Sequence, residues 1–216
     1  MFNKLAIQSL LSRKLSVGLT IIAMTVSIFV LLAVQQIQQQ GKQSFHRAIS
    51  GVELIVGAPT GQLNLLLSSV FHIGYVSKGM SWKSYQKISE HPQVNWSIPL
   101  SLGDSHRGYR VVGTNSNFYQ HYKYANKQSL SLKQGHWFNE DTDQLYSAKQ
   151  QLVLGSKVAN ALQYKVGDKL IISHGTGEIS FTHHDHVSFV ISGVLNETGT
   201  PIDQSIYISL SAIELM

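Results

Sequence analysis

The chain of 216 residues contains no cysteine. That excludes a disulfide framework, a thiolate zinc site and a cysteine nucleophile, although a cysteine-free domain remains compatible with an oxidising compartment. Charge is also scarce. Asp, Glu, Lys and Arg make up only 13% of residues, against about a quarter in ordinary soluble domains. The net charge of +5 is spread along the chain, with no dense basic stripe to neutralise a phosphate backbone, so nucleic-acid binding is a weak reading and no nucleic-acid partner is expected. There is no Walker A sequence, so the chain supplies no ATP hydrolysis of its own. There is no G-x-S-x-G elbow either. Gly155-Ser156 follows a strand pattern and opens a helix, but the expected glycine context is replaced by Lys157, and Ser156 reads as a helix N-cap.

What the chain does have is one long apolar run. Leu15 to Val34, LSVGLTIIAMTVSIFVLLAV, carries neither charge nor proline. A helix of about twenty residues spans about 30 Å of hydrocarbon. Ser16, Thr20, Thr25 and Ser27 are expected to bond back to the helix's own carbonyls, and Gly18, Ala23 and Ala33 offer small surfaces to a neighbouring helix. No A-x-A-like cleavage site follows; Gln35 to Gln40 comes instead, which argues against a signal peptide. Lys4, Arg13 and Lys14 precede the run, so the positive-inside rule places the N-terminus in the cytoplasm and the chain after Gln35 outside. Residues 1–14 read as a cytoplasmic amphipathic segment, 15–34 as the transmembrane helix and 35–50 as a helical stalk. Residues 51–210 read as the extracytoplasmic core, and 211–216 as the start of a following helix cut short.

Beyond the stalk, helical and strand patterns mix. Gly51 to Gly57 predicts a short strand. Leu63 to Phe71 predicts a partly buried helix, and Ser81 to Glu90 a helix capped by Ser81. Asn95 to Leu102 and Tyr109 to Gly113 predict strands about a turn at Gly103-Asp104, and Asn115 to Asn126 a loop with a short helix. Gln151 to Gly155, Lys169 to Ser173, Val187 to Leu195 and Ser205 to Ile208 predict strands, with a helix at Ser156 to Leu162 and a turn at Val166-Gly167-Asp168. The fold class is therefore α+β, a mixed α/β extracytoplasmic domain behind a transmembrane helix.

Thr182-His183-His184-Asp185-His186 carries the strongest local chemical signal. His183, His184, Asp185 and His186 could ligate Zn²⁺ or Cu²⁺. On an extended backbone His184 and His186 share one face while His183 and Asp185 share the other, so one ion needs a loop here or a further ligand such as His174. The bland alternative is a polar loop between strands. Glu140, Asp141 and Asp143 lack the continuation of a calcium loop and read as solvated. Trp82, Tyr85, Trp96, Trp137 and Phe138 read as core rather than as a substrate surface.

Four segments together resemble the FtsX-like, MacB-like family of ABC-transporter permeases. They are Asn3 to Val34; GVELIVGAPTGQLNLLLSSVF, Gly51 to Phe71; Leu132 to Ile172, with its Gly-x-x-Phe, acidic loop, Val-x-Gly and Gly-Asp; and Phe189 to Met216. The resemblance implies a permease with a MacB-type periplasmic core, not an enzyme. It also implies a bacterial inner-membrane location, a separate ABC ATPase subunit, a second permease chain, contact with membrane lipid, and three further membrane helices beyond Met216. A single-span sensor or metal-binding module is the alternative.

Overall fold

The computed structural model describes residues 12–74, 78–138, 150–174 and 188–214. The chain divides into two compact units, Met1–Ser44 and Phe45–Met216.

In the first, α1 (Lys14–Ala48) is one continuous helix through the apolar run. Its segment Lys14–Gln43 is long and apolar enough to cross a membrane, with a mean hydropathy of 2.6, and none of that window is buried against the protein. The hydroxyls behave as expected. Thr20 Oγ1 donates to Ser16 O at 2.9 Å, Thr25 Oγ1 to Ile21 O at 2.8 Å and Ser27 Oγ to Ala23 O at 2.9 Å. All three hydroxyls are thus satisfied within the helix.

The second unit is built on a sheet. Its strands are β1 (Ser101–His106), β2 (Tyr109–Thr114), β5 (Leu132–Gly135), β6 (Gln151–Leu154), β7 (Lys169–Ile171), β8 (Ser173–His174), β9 (Ser188–Leu195) and β10 (Ser205–Ser209); β3 (Lys123–Tyr124) and β4 (Gln128–Ser129) form a separate hairpin. The main path runs β5-β9-β6-β10-β2-β1-β8. β10 pairs parallel to β2 and antiparallel to β6, and β6 pairs parallel to β9. Val190 pairs with Gln151 of β6 and Lys169 of β7, so β7 lies on the edge of β9 opposite β6. By the same logic β5 takes the rest of that edge, opposite Gly193 to Leu195.

The sheet is buried on both sides, which explains why its central strands read as continuous apolar runs. One face holds Val111, Leu152, Leu154, Ile206 and Ile208, covered by Val158 and Ala159 of α5 (Ser156–Leu162) and Ala212 of α6 (Leu210–Ile213). The other holds Val112, Val153 and Tyr207, covered by Phe118 of α4 (Ser116–His121), Leu130, Phe138 and Ile202 of the 3-10 turn Pro201–Gln204. Burying each large aliphatic side chain contributes roughly 1.5–3 kcal/mol.

β9 changes phase part-way. Phe189, Ile191 and Val194 all join the first cluster, while Leu195 joins the second. The extra residue is Ser192, because Leu152 pairs with Ile191 and Val153 with Gly193. The bulge is held by Ser192 Oγ donating to Leu152 O at 3.0 Å and by Ser192 O accepting from His136 N at 2.9 Å. Gly135, at φ 81°, is required here: a Cβ would sit 2.0 Å from Ser192 O.

Several expectations need correcting. The turn between β1 and β2 is Arg107-Gly108, both at positive φ (48° and 82°), with His106 paired to Tyr109. Two left-handed residues make a tight hairpin that matches strand twist. Gly103-Asp104 lies inside β1, at a register shift between Leu102 and Ser105. Gly51 to Gly57 forms no strand; the only bridge nearby is Ser50 to Lys123. Its apolar residues have no partner strand among the described residues, and an apolar run becomes a strand only by pairing. The N-cap of α5 is Gly155, not Ser156. A Cβ at 155 would lie 2.4 Å from Asp203 O and 2.5 Å from Ile202 O, so only glycine lets the 3-10 turn approach this closely. Ser81 does cap α3 (Trp82–Ser89), accepting from Ser84 N at 3.2 Å. Of the five aromatics assigned to the core, Phe138 is buried, Trp82 is 56% exposed, and the rest lie between.

Candidate functional site

Neither the candidate metal ligands His183, His184, Asp185 and His186 nor the acidic loop Glu140, Asp141 and Asp143 falls within the described residues. Among the described residues no three His, Asp or Glu side chains gather to hold an ion. The polar chemistry that the fold does assemble lies elsewhere, around β10.

Asp203 is fully buried in the 3-10 turn, and its carboxylate organises the preceding loop. Oδ1 accepts from Thr198 N and Thr198 Oγ1, each at 2.9 Å, and Oδ2 accepts from Gly199 N at 2.8 Å. A buried charge is tolerable when hydrogen bonds replace its water, and these three bonds do that. Sequence reading missed Asp203. The signal was a Thr-Gly-Thr-Pro run with an acid two residues on, a turn pattern whose backbone donors need an acceptor.

The next residue but one, Ser205, meets a histidine from far upstream. His72 follows α2 (Gln62–Phe71) in the left-handed conformation, φ 54°, and its Nδ1 lies 2.7 Å from Ser205 Oγ. Its ring contacts Tyr207 edge-on, 6.4 Å between centroids. Burial, and then the Arg110 guanidinium, push the His72 pKa down to about 4, so it is neutral at pH 7. Arg110, the register partner of Ser205 on β2, donates from Nη2 to Gly74 O at 2.5 Å. This is not a hydrolase dyad. Ser205 is 1% exposed at the start of a buried strand, out of reach of a substrate. Ser156, the other serine considered, is buried with no hydrogen-bonded base.

A second histidine ties the sheet edge. His106 Nδ1 lies 2.6 Å from Ile171 O, and Nε2 lies 3.0 Å from Tyr164 Oη. Desolvation lowers its pKa, opposed by the Ile171 carbonyl and aided by Arg107. Where the chain leaves α1, Tyr122 donates to Ala48 O and Ser50 N donates to Lys123 O at 3.0 Å. Burial raises the Tyr122 pKa, so its proton stays on and the bond to Ala48 persists.

A buried carboxylate that shapes a turn, two histidines that bond backbone and hydroxyl, and a tyrosine that holds a helix end are all anchoring devices. They define a class: a mixed α/β domain, internally anchored by polar contacts, that follows an apolar helix. The chain matches the MacB-like periplasmic core domain over residues 17–216, and it belongs to that family, a family of transporter membrane subunits rather than of typical enzymes. No curated protein matches it. Among solved structures it is similar to the extracellular domain of the noncanonic ABC-type transporter YknZ from Gram-positive bacteria, at 14% identity and a TM-score of 0.40. That match covers 63% of this chain and spans 65% of the YknZ domain's length.

Proposed function

We propose that the chain is the permease subunit, or part of it, of an ABC transporter of the FtsX/MacB type. The observation that supports this best is that one family match takes in both most of the apolar helix and the whole sheet domain, residues 17–216. In this reading a partner ATPase binds on the cytoplasmic side, near the basic residues Lys4, Arg13 and Lys14, and two permease chains assemble in the bacterial inner membrane. The domain then lies in the periplasm, as the charge asymmetry about Leu15 to Val34 favours. ATP hydrolysis moves the domain through the helix that continues beyond Val34 to Ala48.

The test is co-expression with an ABC ATPase from the same organism, followed by purification in nanodiscs. A complex of both chains whose ATP turnover exceeds that of the free ATPase is expected. A chain that binds no ATPase overturns the reading. The proposal extends to His183, His184, Asp185 and His186 as Zn²⁺ ligands, on their donor chemistry. Calorimetric titration with Zn²⁺ checks it, and binding unchanged by replacing the three histidines with alanine refutes it.

A further inference from the structure

The stretch between the end of α1 and β1 contains a segment that belongs to the domain yet is hardly buried in it. Gly51–Gly74 begins and ends on glycines in the left-handed region, φ 88° and 93°. Between them the chain folds on itself: Gly57 packs so closely on Leu65 of α2 that a Cβ would lie 2.4 Å from Leu65 Cδ1. Its outer side is apolar and open, with Leu54 76% and Leu63 68% exposed. Val70 alone in α2 is buried, and the helix packs chiefly on the 3-10 turn Pro201–Gln204.

Its two ends are held differently. At the near end the bonds are made just outside the segment, Ser50 N to Lys123 O and Tyr122 Oη to Ala48 O. At the far end two side chains from adjacent strands grip it, Ser205 on the His72 ring and Arg110 on the Gly74 carbonyl. Those two residues are register partners across the parallel β10–β2 pair, so they form one clasp.

We propose that Gly51–Gly74 is a strap, hinged at its glycines and latched by Ser205 and Arg110, that lifts from the sheet as a unit while β2, β6 and β10 stay paired. The asymmetry of burial supports this. β10 is buried along its whole length, whereas the strap gives up one fully buried side chain, several half-buried ones, the His72–Tyr207 edge contact and two clasp bonds when it leaves. Segments with few buried apolar contacts open at lower free energy than core strands. The two glycines supply the backbone freedom. The proposal stands whether or not the chain is a permease.

The absence of cysteine makes the test direct. In the full chain in detergent, Val70→Cys places a thiol on the buried face of the strap and Ile206→Cys places one in β10. Maleimide labelling of Val70→Cys is expected to be slow, to accelerate about tenfold when Ser205→Ala or Arg110→Gln removes one clasp bond, and to leave Ile206→Cys unlabelled. Immediate labelling of Val70→Cys without the clasp changes, no acceleration with them, or equal acceleration at Ile206→Cys each overturns the strap. Hydrogen exchange on the unsubstituted chain guards against misfolded variants: Leu66–Phe71 amides must exchange faster than those of β6 and β10, and equal protection overturns the proposal.

Discussion

Helix α1 and strand β10 use the same side chains in opposite ways. Ile28 and Phe29 in α1 are 60% and 70% exposed, while Ile206 and Ile208 in β10 are fully buried. The hydrophobic effect stabilises both, but through different solvents. In β10 the partner is protein, packed by side chains on either face. In α1 the side chains lie exposed on a helix long and apolar enough to cross a membrane, where lipid is as apolar as leucine and indifferent to which one it meets. Specific packing therefore matters in one region and only apolarity and length matter in the other.

Substitutions can break that contrast. Ile208→Ala should cost about 2–5 kcal/mol of domain stability, while Ile28→Ala should leave the domain's unfolding midpoint unchanged; tryptophan fluorescence in urea follows both. Ile28→Lys inverts the test. It should penalise membrane insertion by roughly 2.5–3.5 kcal/mol and spare the folded domain, as read from the membrane-inserted fraction. Gly155→Ala adds one methyl against the 3-10 turn, and overpacking there should cost about 1–3 kcal/mol by chemical denaturation. Equal effects of Ile208→Ala and Ile28→Ala would mean that α1 is packed like a core helix and that the contrast fails.

Two smaller effects refine the domain side. The folded His72 pKa of about 4 lies below its unfolded 6.5, so the unfolded chain binds the extra proton. The stability due to neutral His72 is complete above pH 6.5 and falls as pH drops from 6.5 to about 4. The charged and titratable groups around it are Arg110 on β2, Tyr207 on β10, and Asp203 on the turn packed against α2. His72→Gln should flatten the pH dependence of the midpoint over that window. Smallest is Ser81→Ala, which removes the α3 cap and should cost about 1 kcal/mol. Because α3 buries no residue, that loss should appear as local hydrogen exchange rather than as a shifted midpoint.

How much of this was legible follows the same divide. The apolar run and its hydroxyl back-bonds depend only on local sequence, and α1 matches them. The strands β6, β7, β9 and β10 are apolar enough to read directly, and the turn at Val166 to Asp168 is confirmed by Lys165 N donating to Asp168 Oδ2 at 2.8 Å. What misled was non-local. Gly51 to Gly57 has strand composition but no neighbour to pair with. Gly155 rather than Ser156 caps α5 because a distant turn presses on residue 155. The clasp joins positions 72, 110 and 205, and nothing in local periodicity connects them. The histidine run was the most conspicuous chemistry in the sequence, yet the polar contacts that the described fold builds use isolated residues, Asp203, His72 and His106.

The position of β10 also bears on synthesis. Among the described strands it is the last in chain order, yet it lies between β6 and β2 at the middle of the sheet. Until residues 205–209 leave the ribosome, β2 and β6 lack the strand that joins them in the folded sheet. The domain therefore cannot mature gradually from its N-terminal end. Unpaired strand edges on an unfinished chain favour aggregation, and the five buried residues of β10 are what join the β2 and β6 sides of the sheet.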